Sequence, residues 1–247
     1  MSYYKECGYP TLAVIESLMT IINSNYEEWH MANPNSTYLD FTYSPKKMSS
    51  SGALYDLDKL KNISKNIISK MTKEELMEAS LAWADTYSKE LKDLIESDRD
   101  YYMAILNIER EQKKPRKDIA KYNEIMDNIW YMYDSKYNEK EKKYEWQKIV
   151  DPKEIRLIVD TYMDKYFTVH SKEEWFDGIK ELSECLGYAA NMKDYKEHPE
   201  NYKGNVADVS TVLRVALTSK SMTPDLYEIM SLLGMDRIEK RYRNLFD

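Results

Sequence analysis

Side chains that could do covalent or acid–base chemistry are scarce in this sequence, and none stands at a catalytic spacing. The three histidines, His30, His170 and His198, lie far apart, and none has a second histidine or a cysteine at metal-ligand distance in sequence. Each reads as a surface or capping residue. Cys7 and Cys185 lack a C-x-x-C partner, which argues against a disulfide framework or a zinc knuckle and for structural thiols in a reducing compartment. The paired carboxylates Glu74/Glu75 and Glu173/Glu174 fall in first helical turns, where they complement the helix dipole. The sequence holds no G-x-S-x-G, P-loop or G-x-G-x-x-G pattern. No catalytic residue and no metal ligand is assigned, and no cofactor is expected in this chain; its work is expected to be binding.

Binding chemistry is easier to find. The chain carries a net charge of −7, which taken as a bulk value speaks against nucleic acid, but phosphate contact needs only a local patch. From Arg110 to Lys121 there are six basic residues (Arg110, Lys113, Lys114, Arg116, Lys117 and Lys121) against two acidic. Pro115 should hold this stretch in an extended turn that feeds a helix, whose free amides add to the positive field. A second patch gathers Arg214, Lys220, Arg237, Lys240, Arg241 and Arg243 against four acids. The 22 tyrosines could supply stacking faces beside such patches, although most recur at helical spacing and read as packing.

The elements that would position these residues are helices almost throughout. Leu76, Ser80, Trp83, Tyr87, Leu91 and Leu94/Ile95 step by three and four after Thr72-Lys-Glu-Glu75, a capping box. Ile119, Tyr122, Ile125/Met126, Ile129 and Tyr133 repeat the pattern. Asp151-Pro152 and Ser171-Lys-Glu-Glu174 open further helices, the second ending at Gly187 in a left-handed cap. Val206, Val209, Val212/Leu213 and Ala216/Leu217 form an apolar stripe. Thr223-Pro224 should start a short helix that Gly234 stops, and Asp236-Arg-Ile-Glu239 should box the last one. Only Tyr38 to Tyr43 alternates like a strand. With six glycines and seven prolines, a many-stranded sandwich or barrel is disfavoured. The fold class is all-α, as helical bundles. Residues 31–53 and 190–205 read as connections, and the charged run 138–148 as a solvated helix or a linker. The chain is divided near 72 and near 165. No apolar run is long enough to span a membrane, and Met1 to Tyr9 does not read as a signal peptide, so a cytoplasmic monomer is expected.

Two stretches carry a family resemblance. Lys203-Gly-Asn-Val-Ala-Asp-Val-Ser-Thr-Val-Leu-Arg-Val-Ala-Leu-Thr218, followed by Thr223-Pro-Asp-Leu-Tyr-Glu-Ile-Met-Ser-Leu-Leu-Gly234, resembles the C-terminal signature of bacterial glutamate–tRNA ligases, L-R-x-A-L-T-G leading to a P-x-L helix. Ser51-Gly-Ala-Leu-Tyr-Asp-Leu-Asp-Lys-Leu60 and Gly8-Tyr-Pro10 are similar to two further segments of that family. The sequence departs from the pattern at Ser219, where the family usually has glycine, and the charged run 138–148 looks longer. Lys46-Lys-Met-Ser-Ser-Ser51 resembles the mobile lysine loop of class I aminoacyl-tRNA synthetases, but Ser50 stands where the second lysine would be, so no catalytic role is assigned to it.

The resemblance implies a helical tRNA stem-contact region at 1–72 and two helical anticodon-binding subdomains at 73–165 and 166–247. It also implies that the catalytic nucleotide-binding fold lies upstream of Met1, so that this chain alone is inactive and ATP and Mg belong to the full ligase. The implied partner is a glutamate-accepting tRNA, with neither DNA nor membrane. Arg214, the arginine of the L-R-x-A-L-T motif, with Thr218 and Lys220, is the first expected contact; Arg110, Lys113, Lys114, Arg116 and Lys117 are the second. The competing reading is a helical protein-interaction module with no nucleic-acid role.

Overall fold

The computed structural model describes residues 2–34, 36–48, 54–167 and 171–245. His170, Ser49 to Ser51 of the lysine-loop-like segment, and the start of the Ser51–Leu60 motif lie outside these residues. Among the described residues there are helices and turns and no strand; the sole ladder contact is an isolated parallel bridge between Ala189 and Asn205. Tyr38 to Asp40, in the expected strand, is a 3-10 turn, because Thr37 and Asp40 cap one another across it.

The packing forms two compact units, Met1–Asn128 and Ile129–Asp247, in place of three parts divided near 72 and 165. In the first unit lie α1 (Ser2–Cys7), α2 (Thr11–Ile22), α3 (Tyr26–Ala32), α4 (Leu57–Lys70), α5 (Lys73–Tyr87), α6 (Lys89–Ser97) and α7 (Arg99–Asn107), with α8 (Ile125–Ile129) at its end. Long-range hydrogen bonds join the segments on either side of residue 72. Ser64 Oγ on α4 donates to Ala120 O at 2.5 Å, Trp83 Nε1 on α5 donates to Lys5 O at 2.8 Å, and Tyr122 N donates to Gly8 O at 2.9 Å. Tyr9, Ala13 and Val14 bury against Leu60 of α4. Leu76, Ala84, Leu91, Ile95 and Tyr102 bury where α5 meets α6 and α7, and each buried leucine or isoleucine there contributes roughly 1.5–3 kcal/mol. The Thr72 capping box forms as expected. The periodic run after Met71 breaks into two helices at Ser88, whose hydroxyl caps α6 by accepting from Leu91 N.

The second unit comprises α9 (Asp134–Glu139), α10 (Pro152–Thr161), α11 (Lys172–Cys185), α12 (Met192–Glu197), α13 (Val206–Thr218), α14 (Leu226–Leu233) and α15 (Met235–Arg243). Its centre is α13, buried along Val209, Val212, Leu213, Val215, Ala216 and Leu217. A helix apolar on nearly every side must be surrounded, and α10, α11 and α15 pack around it. Residue 165 falls inside a π-helical turn, Tyr162–Tyr166, that continues α10 and packs on α11. There Tyr162 accepts from Trp175 Nε1 at 3.0 Å and meets Tyr242 edge-on.

Local signals failed at two helix starts. Asp225, not Thr223, caps α14, and α15 begins at Met235 with no side-chain cap, so the Asp236–Glu239 box does not form. Glu239 pairs instead with Arg243 at 2.6 Å. Gly187 takes the expected left-handed φ of +84°. Cys185 is exposed rather than a buried structural thiol. His30, expected as a surface or capping residue, is half-buried in the last turn of α3, against Tyr26 and near Glu16.

Candidate nucleic-acid interface

The basic stretch 110–121 leaves α7 as an irregular segment. Arg110 does not offer its guanidinium to solvent. Its Nε donates to Leu106 O at 2.9 Å, and its Nη1 to Ile68 O at 2.8 Å and Met71 O at 3.1 Å. It therefore adds a donor to carbonyls at the C-terminal ends of α7 and α4, where helix carbonyls run short of backbone partners. Arg116 sits between Glu109, at 3.3 Å, and Asp118, at 2.6 Å. Lys121 pairs with Glu124 at 3.1 Å. The helix this stretch should feed is broken into the 3-10 turn Tyr122–Glu124 and short α8. Its entry is occupied, since Ala120 N donates to the Glu124 carboxylate at 2.9 Å. Lys113, Lys114 and Lys117 are exposed, and they carry the positive field that the segment presents.

In the second unit the arginines again serve the fold. Arg214 Nη1 donates to Pro224 O at 2.6 Å and to the Thr223 hydroxyl, binding α13 to the turn that precedes α14. Arg237 spans Leu233 O at 2.6 Å, Leu232 O at 3.0 Å and Met132 O at 3.2 Å. Arg241, 6% exposed, donates to Tyr131 O at 2.7 Å and Leu217 O at 3.2 Å, pairs with Asp134 at 3.0 Å and lies over the Tyr137 ring. Thr218 is fully buried, with its hydroxyl 2.8 Å from Arg214 O and accepting from Lys220 N. Of the expected contacts here, Arg214 and Thr218 thus shape the turn after α13. Lys220, Ser221 and Met222 form its outer edge, and Met222 is 78% exposed.

One feature of this surface escaped the residue-by-residue reading. The charged run 138–148 is neither a helix nor a linker after Glu139. Residues 140–149 run as an irregular strap along α13 and its terminal turn. Glu145 N donates to Ser219 O at 3.1 Å, and the Glu145 carboxylate accepts from Ser221 N at 2.9 Å and Ser221 Oγ at 3.0 Å. Lys148 pairs with Asp208 of α13 at 3.1 Å. Tyr144 and Trp146 stack with ring centroids 5.3 Å apart and planes 15° from parallel. Their spacing of two in a run otherwise charged was the available signal, since alternation places both rings on one side of an extended chain. Beside Trp146 lies a cleft floored by Ile149, Thr211 and Val212.

Together these residues present N–H, O–H and ammonium donors and aromatic faces. Among the described residues no group of three or more His, Cys, Asp or Glu side chains is arranged to hold a metal ion, and no helix is long and apolar enough to cross a membrane.

A family model described as an anticodon binding domain matches residues 60–246. The glutamate–tRNA ligase of Acetivibrio thermocellus is 42% identical over 245 residues, covering 99% of this chain and 44% of that protein. The glutamate–tRNA ligase of Clostridium beijerinckii is 42% identical over 249 residues, 100% of this chain and 44% of its own length. That of Sorangium cellulosum is 36% identical over 241 residues, at 98% and 42% coverage. Among solved structures, the glutamate–tRNA synthetase from Elizabethkingia anophelis superposes with a TM-score of 0.63 at 14% identity, over 98% of this chain and 41% of that one, which is a likeness of fold. The chain spans about 44% of the length of the ligases it matches, corresponding to their C-terminal portion.

Proposed function

This chain belongs to the anticodon-binding domain family, and on that premise we propose that it binds the anticodon arm of a glutamate-accepting tRNA as part of a glutamate–tRNA ligase. The observation that carries the reading is 42% identity to such ligases along 99% of the chain. Attachment of glutamate, with ATP and Mg as co-reactants, belongs to the portion of the ligase that this chain does not span. The chain works in the cytoplasm, where charged tRNA is used, and as a monomer.

The contact surface in the second unit is the turn from Lys220 to Pro224. Its backbone groups and Met222 meet splayed anticodon bases, and Lys220 meets phosphate. Arg214 acts here by holding Thr223 and Pro224 in the shape the bases require. In the first unit Lys113, Lys114 and Lys117 contact phosphate without reading sequence.

The test is binding of a glutamate anticodon stem-loop RNA to the full chain. Arg214→Ala should weaken it by roughly 1–3 kcal/mol and relax the preference for the anticodon bases. Replacing Lys113, Lys114 and Lys117 by alanine should weaken all RNAs alike and flatten the salt dependence, by about 0.7 in slope per lost contact. Unchanged affinity and base preference in Arg214→Ala would reject this surface. Affinity of the wild-type chain that does not fall with salt would favour the protein-interaction reading.

A further inference from the structure

The strap contact at the end of α13 has the form of an anion site already filled from within the chain. One oxygen of Glu145 receives both the backbone N–H and the hydroxyl of Ser221, at 2.9 and 3.0 Å. A backbone amide and an adjacent hydroxyl converging on one anionic oxygen is how proteins commonly hold an RNA phosphate. Lys220 adjoins the site in sequence, and Lys142, Lys143 and Lys148 flank Glu145 on the strap. The run 139–148 holds four lysines against three glutamates, and displacing Glu145 leaves the lysines in surplus beside the Ser221 donors, although Lys148 is paired with Asp208.

We infer that Ser221 N–H and Oγ–H form a binding site for a backbone phosphate of single-stranded RNA, and that Glu145 occupies this site as a latch which the RNA displaces. Glu145 is exposed, so an external anion can reach its donors without unfolding the unit. The strap can open at Glu145 because 140–149 belongs to no helix, and its other ties, Lys140 over Trp130, Lys142 over Tyr137, the Tyr144–Tyr137 hydrogen bond, and Lys148 on Asp208 and over Tyr195, lie to either side of Glu145 and can hold while Glu145 leaves Ser221. The latch lies on the same turn that Arg214 and Thr218 order, so its release frees the Ser221 donors beside the edge assigned to the anticodon bases. This inference rests on the RNA-binding reading above.

The experiment measures affinity of the full chain for the glutamate anticodon stem-loop, and hydrogen exchange of the Glu145 amide with and without that RNA. Glu145→Gln and Glu145→Ala should each bind RNA about 3- to 10-fold tighter, because the anionic competitor for both exposed-edge Ser221 donors is removed. Glu141→Gln, an equal charge change at an exposed strap position, should alter affinity less than about 2-fold, as a distant screened charge does. In the wild-type chain, RNA should speed exchange of the Glu145 amide. Unchanged or weaker binding in both Glu145 variants, or a gain matched by Glu141→Gln, overturns the latch while leaving RNA binding intact. Slower exchange of that amide with RNA overturns it too. Release by inorganic phosphate but not by RNA overturns the assignment to an RNA phosphate. Absence of RNA binding by the wild type and every variant overturns the underlying reading and the latch together.

Discussion

Replacing Ser219 by glycine should make the second unit more stable. Helix α13 ends at Thr218, and Ser219 caps it with φ +65° and ψ −3°, in the left-handed region. An L-residue pays roughly 1–2 kcal/mol to sit there. Glycine does not, although its freer unfolded chain returns about 0.5–1 kcal/mol of that gain. The serine adds a second penalty, because its Oγ is buried without a hydrogen-bond partner, a situation that costs roughly 1–3 kcal/mol. Against these gains stands a void about the size of one water, which at about 24 cal/mol per Å³ removes roughly 0.7 kcal/mol. The net expectation is a stabilisation of about 1–2 kcal/mol. Ser219→Ala separates the terms, since it removes the hydroxyl and keeps the strain; glycine should exceed alanine by about 0.5–1 kcal/mol. Native-state hydrogen exchange of the α13 amides in rising urea reports the opening of this unit by itself. Destabilisation by glycine, or alanine equal to or better than glycine, would refute the account of the turn.

Other expectations follow from the same structure. Arg241→Met should destabilise the second unit by about 2–4 kcal/mol, because Tyr131 O and Leu217 O lose their buried donor and Asp134 its partner; urea unfolding monitored in that unit checks it. Gly8→Ala should cost the first unit about 2 kcal/mol or more, since φ is +82° and an added Cβ would stand 2.9 Å from Tyr122 N; a melting temperature within a degree or so of wild type would contradict this. Burial raises Tyr26 and Tyr162 from 10.0 to about 12. A group raised on folding lends stability that is whole below its unfolded value, so urea midpoints should hold to about pH 10 and fall from there to about pH 12. A midpoint that is flat across that window would show these rings ionising in the folded chain. Arg110→Lys should lower stability with little change in the salt slope of RNA binding, whereas Lys117→Ala should do the reverse.

What could be read from sequence was what is decided within four or five residues. The Thr72 and Ser171 boxes and the Gly187 cap each close over a single turn, and all three form. The Asp236 box failed because α15 starts two residues earlier than its pattern allows, leaving Glu239 facing Arg243. The two compact units have a basis of a different kind. Their joints are side chains that reach distant carbonyls, as Ser64 reaches Ala120 and Arg241 reaches Tyr131, and no local pattern encodes those pairings. The strap failed in the same way: a run of mixed charge looks solvated until the turn that receives Glu145 is in place.

The same distinction separates the arginines from the lysines. Sequence counts both as positive charge, and the two basic patches rest on that count. In the folded chain Arg110, Arg214, Arg237 and Arg241 each direct a planar fork of donors onto carbonyls at helix ends or turns. A guanidinium suits this work, because it is weakly hydrated and can satisfy several fixed acceptors at once. An ammonium is a compact, strongly hydrated charge and is better left in water, as Lys113, Lys114 and Lys117 are. The cations left for an incoming phosphate are therefore chiefly lysines, while the arginines determine the shape of the surface that carries them. Base selectivity should then depend on turn geometry and be lost with the arginines, and overall affinity should depend on the lysines and be lost with salt.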